Sequence, residues 1–499
     1  MLVKKIGLAL TTTTFLVTSA AAATLNVAID SSPAGLDPHL ITAFNSVVIV
    51  QGNVYEGLTD IDAGLNVVPD LAASWDISAD NLSYTFKLQS GVTFHDGSTM
   101  DAEDVAASIR RVQAEKTASP MAASVMPITN IEIIDPLTIK LSLDEPFAPI
   151  LSSLATIAIV PAELEADIEA LQQKPVGTGP FKFVEWLPNN YIALEKFEGY
   201  REAGLPMLDG VKFNFVPEAS TRQVGLTSGD YGILPGIDPA TALQLQAQPG
   251  VKLHDTLNVS YTLLGMNVTR GPLGDAKVRE AVNMLLNRDE IIAGALFGAG
   301  VPGGPLSPAL SAWALDTSEF ACYTTNVDGA KALLAEAGIE TPIKLSILVL
   351  PRQDARDISQ VIQQQLAAGG IEVDLVNKEI GEFVQDWRNS NFDMFVSANG
   401  GNPDPDQYFY RTFRSGGPTN VYKYANAEID TLLDTGRTET DQAKRKQAYD
   451  AAQRTLACQG PIAHLAYGNL FTATNAKVKG FEIYPTGRLT SLVNVSLDE

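Results

Sequence analysis

The chain has 499 residues, 45% hydrophobic and 19% charged, which is too long for one ordinary core and balanced as a globular protein is. Its formal net charge is −23, spread over scattered Asp and Glu, with only 35 Lys and Arg. A chain so acidic lacks the concentrated basic surface that nucleic acid requires, so its surface charge reads as a solubility feature.

The first 23 residues differ from the rest. Lys4 and Lys5 precede an apolar stretch from Ile6 to Val17, and Ser19-Ala20-Ala21-Ala22-Ala23 follows. Positive start, short apolar middle and small-residue exit are the pattern of a secretory leader, with cleavage expected near Ala22 or Ala23. The apolar part is too short to span a bilayer comfortably. No Cys stands near that point to carry a lipid anchor. The mature chain is therefore expected to be exported into an oxidising compartment. In that oxidising compartment the two cysteines, Cys322 and Cys458, are expected to form a disulfide rather than remain separate buried thiols.

Beyond the leader, elements alternate. Thr24–Ile29 reads as a strand, and Ser83–Leu88 alternates with Tyr84, Phe86 and Leu88 on one face. Asp101 is an N-cap with Asp104 at the third helical position, before a stripe of Val105, Ile109 and Val112. Ile131–Ile134 and Thr138–Leu141 form a hairpin around Asp135-Pro136, and Gly177-Thr178-Gly179-Pro180 is a break before strands at 191–196 and 211–216. Asp275 caps one later helix; Asp328 is expected to cap another, ended by Gly338.

The stretch from 343 to 406 says most. Ile343–Leu350 is a near-continuous apolar run, a helix follows to about Ala368, and Gly369-Gly370 stops it. Strands at 371–376 and 392–396, with a short helix at 382–388 between them, complete β-α-β-α-β, hence a parallel sheet with right-handed crossovers. Ligands in such sheets sit beyond the carboxyl ends of the strands. Two loops lie there, Pro351–Asp354 and the Gly/Asn/Asp-rich segment Ser397–Asp406. Of the nearby aromatics Trp387, Tyr408, Phe409 and Tyr410, most are expected in the core and one or two against a ligand.

No catalytic pattern emerges: there is no Gly-x-Ser-x-Gly, His-Glu-x-x-His, P-loop or Rossmann glycine motif. His39, His95, His254 and His464 lack metal spacing, and His95 in Phe94-His95-Asp96-Gly97 reads as structural. Neither a metal nor a cofactor is expected. Asp404-Pro405-Asp406 reads as a turn, with an acid–base carboxylate pair as the competing interpretation.

An ordered set of motifs then carries a resemblance: Tyr55-Glu56-Gly57-Leu58, Pro69-Asp70-Leu71-Ala72, Tyr84–Leu88, Gly91–Gly97 and Asp101–Val105. Later come Val176–Phe181, Met266-Asn267, Val278–Ala281, Asn287-Arg288, Ala330–Gly338 and Asn402–Phe409. Nearly the whole mature chain resembles the peptide- and nickel-type solute-binding proteins of ABC importers. The resemblance implies an α/β fold of periplasmic-binding-protein type, in which two clamping lobes with parallel-rich sheets carry an extra inserted lobe. Lobe I would comprise residues 24–56, 176–252 and 472–499, lobe II residues 57–175, and lobe III residues 253–471. Lobes I and III would close on a small polar ligand by a hinge motion and deliver it, as a monomer, to an inner-membrane ABC permease.

Residue by residue, the resemblance places Arg352 where relatives hold a ligand carboxylate, and Phe44 and Asn45 where the first lobe touches ligand. The Asp that holds a peptide α-amine falls on Gly401, and the usual preceding aromatic falls on Ala398. Either Asn399, Asn402 or Asp404 takes over the amine, or the ligand has none: a peptide is the first expectation, with an oligosaccharide, opine-like conjugate or metal chelate as the alternative. A periplasmic hydrolase using Asp404 and Asp406, and a chaperone or sensor partner with a degenerate pocket, are the competing functions.

Overall fold

The computed structural model describes residues 23–167 and 169–498, so the expected leader, apart from Ala23, lies outside the described residues. Among the described residues the buried apolar side chains gather into several clusters. Strands Thr24–Ile29 and Gly210–Phe215 pair in parallel, and Tyr191–Lys196 and Phe181–Leu187 extend them antiparallel. Their apolar faces (Val27, Ile29, Val211, Phe213, Ile192) join Val48, Tyr55 and Leu492 in the core of lobe I. Lobe II is a four-stranded antiparallel sheet, Ala72–Ile77, Ser83–Leu88, Thr138–Leu143 and Ile128–Asp135 in spatial order. Helix Ala102–Gln113 packs its Val105, Ile109 and Val112 on that core. The expected capping box is present: Asp101 accepts from Glu103 N–H, and Asp104 accepts from Asp101 N–H at 2.8 Å.

In lobe III, strand Ile343–Val349 lies in parallel between Ile371–Asn377 and Met394–Asn399, as the β-α-β-α-β reading requires. Its last three residues, Ile347, Leu348 and Val349, are all buried, so both faces are covered there and the sequence is continuously apolar, while Lys344 and Ser346 alternate with buried Ile343 and Leu345 before them. Helix Gln353–Ala368 makes the first crossover and ends at Gly369-Gly370, where Gly370 takes φ +86°. Two local expectations shift. Asn326, not Asp328, caps helix Val327–Glu336, because the extended Asn326 backbone aims its side chain at Gly329 N–H (2.9 Å), leaving Asp328 in the first turn. The third strand runs Met394–Asn399, later than the expected 392–396, so Asn399 belongs to its end and pairs across with Tyr261.

One element joins the two halves. Strand Ile462–Asn475 pairs with Tyr261–Met266 through its first part and with Val251–Leu257 through its last, making one twelve-stranded sheet. The expected boundaries 252/253 and 471/472 therefore fall inside continuous strands. Ala158, Val160 and Leu171, expected in lobe II, pack instead on the core of lobe I. The Cys322–Cys458 disulfide is present and ties the 3-10 turn Ala321–Tyr323 to the end of helix Gln442–Gln459, within lobe III.

Lobe II is fastened to lobe I by buried polar groups. Arg111, fully buried on the helix of lobe II, forms a two-pronged pair with Asp37 and approaches His39 Nδ1 at 2.9 Å. His39 Nε2 donates to the Ala158 carbonyl (2.8 Å), and burial lowers the His39 pKa to about 4. His95 has the structural role expected of it: its Nε2 lies 2.9 Å from the Gly179 carbonyl oxygen and its Nδ1 3.3 Å from Gly177 N, pinning the glycine break. Burial likewise lowers its pKa to about 4.

Candidate ligand-binding site

Where the three lobes meet, the chain encloses a cavity of about 820 Å³. Lobe I supplies Thr42, Gln51 and Tyr55; lobe II supplies Ser124, Ser153 and Thr156; lobe III supplies Gly401, Asn402 and Gln407. Lobes II and III touch across it. Gln407 Nε2 donates to Ser153 Oγ at 3.3 Å, and Ala148 N–H donates to the Arg437 carbonyl at 2.9 Å.

Nearly every charge on the wall is already matched. Arg201 binds both Glu56 and Asp70, whose carboxyls burial pushes upward. Arg488 pairs with Asp60 at 3.2 Å. Arg437 holds Asp406 through two hydrogen bonds, of 3.0 and 2.8 Å, while lying 3.3 Å over the Tyr410 ring. Burial raises the Asp406 carboxyl against the opposing pull of Arg437. Among the described residues, the Arg411 side chain lines the cavity with no hydrogen bond or ion pair. Behind the wall, burial raises the Tyr261 pKa, and its hydroxyl accepts from Asn399 Nδ2 at 3.2 Å.

Of the residues singled out from sequence, the cavity wall gathers Gly401 and Asn402. Gly401 is there because nothing larger fits: a Cβ would stand 2.0 Å from the Val259 carbonyl oxygen. Asn399 is engaged with Tyr261, just behind that wall. Asp404 is buried, caps helix Pro405–Phe413 by accepting from Asp406 N–H, and is gripped by both terminal nitrogens of Arg445 (3.0 and 2.8 Å). With Asp404 on Arg445 and Asp406 on Arg437, the two carboxylates shape the helix start, each held by its own arginine. Arg352 precedes helix Gln353–Ala368 outside the cavity wall, its side chain 61% exposed and paired with the neighbouring Asp354. Phe44 and Asn45 also stand off the cavity wall. The Phe44 ring rests near Gly236 and Gly487, and Asn45 Nδ2 donates to Asp30 at 2.7 Å. Tyr408 and Phe409 are core residues, and Trp387 packs at the edge of that core.

Sequence reading missed Arg411, Gln407 and Thr486. The Thr486 hydroxyl oxygen is buried on the cavity side without a hydrogen-bond partner among the described residues. Gln407 lies within the Asn402–Phe409 motif without being singled out by it, and no local motif marks Arg411 or Thr486; the three share a wall only once residues near 50, 150, 400 and 490 are folded together.

The family model for the middle region of bacterial extracellular solute-binding proteins, family 5, matches residues 66–420. The chain belongs to this family. It is 29% identical over 531 aligned residues to the dipeptide-binding protein of Escherichia coli strain K12, covering 99% of this chain and 98% of that protein. Among solved structures it is similar to the ABC transporter substrate binding protein CtaP of Listeria monocytogenes, with a TM-score of 0.87, 25% identity, and coverage of 96% and 100%. It is also similar to the periplasmic binding protein DppA of Helicobacter pylori in complex with the peptide STSA, with a TM-score of 0.79, 27% identity, and coverage of 95% and 98%. The cavity wall of this family member mixes apolar side chains such as Ile41, Val50 and Met121 with polar ones such as Thr42, Gln51 and Asn402.

Proposed function

We propose that the protein is the extracytoplasmic receptor of an ABC importer, which closes its lobes on a small polar, peptide-like solute and presents it to an inner-membrane permease. The observation that carries this reading is the cavity of about 820 Å³, walled by all three lobes in a chain of the solute-binding family. Ligand sites commonly measure about 300–1,000 Å³. The peptide-like class is supported by the dipeptide-binding relative and by the peptide held by the H. pylori protein.

In this reading Gly401 and Asn402 form the lobe III wall against the ligand. Asn399 and Asp404 hold that wall in shape through Tyr261 and Arg445. Lobes I and III move as units about the strands that cross between them, and Gln407 with Ser153 seals the lobe II side. The protein acts as a monomer in the periplasm after its leader is removed near Ala22 or Ala23. N-terminal sequencing and light scattering of the periplasmic protein check both points.

The test is calorimetry and thermal shift on ligand-stripped mature protein with di- and tripeptides, N-acyl peptides, oligosaccharides and metal chelates. A ligand at a hundred times its dissociation constant adds about 2.7 kcal/mol of stability. The expected result is saturable binding with the solute recovered unchanged. Chemical conversion of the bound solute, or a protein stabilised by no member of the panel, refutes the reading.

A further inference from the structure

We infer that the cavity selects an anionic solute whose carboxylate is read by Arg411, and that it makes no provision for a free amine. This inference rests on the receptor reading above and narrows it to a ligand class. Four arginines line the cavity. Arg201 is committed to Glu56 and Asp70, Arg437 to Asp406, and Arg488 to Asp60. Arg411 alone among them has no protein partner among the described residues. It stands in the last turn of helix Pro405–Phe413, whose Tyr408, Phe409 and Phe413 are buried and fix the helix in place. A guanidinium anchored in this way offers a planar fork matched to a carboxylate.

The amine side of the ledger is closed. A ligand ammonium needs a free carboxylate, and Glu56, Asp60, Asp70 and Asp406 are all held by arginines. The remaining lining carboxylate, Glu202, is exposed as Arg411 is, but it stands in a turn rather than on a helix fixed by buried aromatics, so it offers an ammonium no preset partner. At Gly401 the backbone leaves no room for an acidic side chain, since even a Cβ would meet the Val259 carbonyl at 2.0 Å. The polar groups left for the rest of the solute are neutral: Asn402, Thr42, Gln51 and the partnerless Thr486 hydroxyl. A peptide-like acid whose nitrogen is acylated or otherwise uncharged fits this pattern; a zwitterionic dipeptide leaves its ammonium unmatched.

Three probes separate the terms: Gly-Leu, N-acetyl-Gly-Leu and Gly-Leu-amide, titrated calorimetrically into ligand-stripped mature protein and its Arg411→Gln, Arg411→Lys and Arg352→Gln variants. N-acetyl-Gly-Leu is expected to bind at least as tightly as Gly-Leu. The amide is expected to bind about tenfold or more weakly, as loss of a charge-assisted hydrogen bond implies. R411Q should weaken N-acetyl-Gly-Leu by a similar factor while leaving the amide nearly unchanged, and R411K should restore part of the loss. Preference for Gly-Leu over its N-acetyl form overturns the inference. So does a loss that follows R352Q instead of R411Q, which would return the carboxylate to the loop after Ile343–Val349. Failure of all three probes also overturns it, whereas the receptor reading falls only if the wider solute panel fails as well.

Discussion

Gly401 offers the sharpest test of the site, because family relationships and local geometry make opposite demands on it. A side chain there would restore the carboxylate that the family resemblance leads one to expect; the backbone forbids one. An ideal Cβ at Gly401 lies 2.0 Å from the Val259 carbonyl oxygen, 2.6 Å from its carbon and 3.0 Å from the Val259 Cβ. Carbon approaches a carbonyl oxygen to about 3.3 Å, so the segment around Gly401 must retreat by about 1 Å. The obstacle is backbone, not a mobile side-chain tip, so the cost should fall near the upper end of the ~1–3 kcal/mol typical of overpacking. Gly401→Ala isolates this steric cost, and Gly401→Asp adds the carboxylate. Urea unfolding followed by tryptophan fluorescence, with calorimetric titration of Gly-Leu, reads both quantities. Both variants should lose about 2–3 kcal/mol of stability, and the Asp variant should gain no affinity for a free amine. A Gly401→Ala protein within about 0.5 kcal/mol of the parent, the range of a neutral surface substitution, would refute the steric argument. A stable Gly401→Asp protein with improved Gly-Leu binding would refute the view that this cavity has no place for an amine.

Other parts of the molecule make independent predictions. Replacing Cys322 and Cys458 with Ser releases a link across 136 residues, which the loop-entropy relation values at about 5 kcal/mol, measurable as a fall in the urea midpoint of lobe III. Arg111→Met should cost about 3–5 kcal/mol because it strands the buried Asp37 carboxylate, and Asp37→Asn on top of it should recover much of the loss; equal instability of the single and double variants would count against that account. The folded-state pKa of His39 is lowered to about 4, against 6.5 as its ordinary value. Between those values the unfolded chain binds a proton that the folded protein refuses, so stability falls as the pH drops through this window. Relative to His39→Gln, the parent should lose up to about 1.4 kcal/mol per pH unit there, and parallel pH profiles would refute the assignment.

How far the sequence foretold this structure depends on the range of the interactions involved. The β-α-β-α-β core of lobe III was legible because its signals are local: an apolar run, a 3.6-residue stripe and a Gly370 that must take positive φ. The capping box at Asp101 was legible for the same reason. The choice between Asn326 and Asp328 as helix cap was not, since both residue types cap well and only the extended backbone at Asn326 decides. Asp404 and Asp406 invite a chemical reading until Arg445 and Arg437, 41 and 31 residues further on, are seen to hold them. Arg411 presents the converse case. In sequence it is one more charge on the outer face of an amphipathic helix; its significance comes from the partners that Arg201, Arg437 and Arg488 have and it lacks, which only the folded cavity discloses.

The lobe boundaries were obscured for a physical reason that bears on function. Lobes I and III are joined by strands rather than by flexible linkers, so no Gly/Ser-rich segment marks the transition. Strand Ile462–Asn475 leaves its partner Tyr261–Met266 after Ala466 and takes up Val251–Leu257 from Asn469 onward. The other crossing is Asn258–Ser260, tied to the first by Asn258 N–H donating to the Gly468 carbonyl. Val259 lies in the middle of this crossing, and it is the Val259 carbonyl that Gly401 packs against. The loop that carries Gly401 is thus packed directly against the backbone of the segment that, in the receptor reading proposed above, bends when the lobes close. A side chain at 401 would both crowd the ligand wall and push on that crossing, so the position is constrained twice over. The absence of a carboxylate at 401 and the close seating of the loop on the Asn258–Ser260 crossing are then two consequences of one residue, and under the proposed reading the solute is recognised by groups placed elsewhere on the wall.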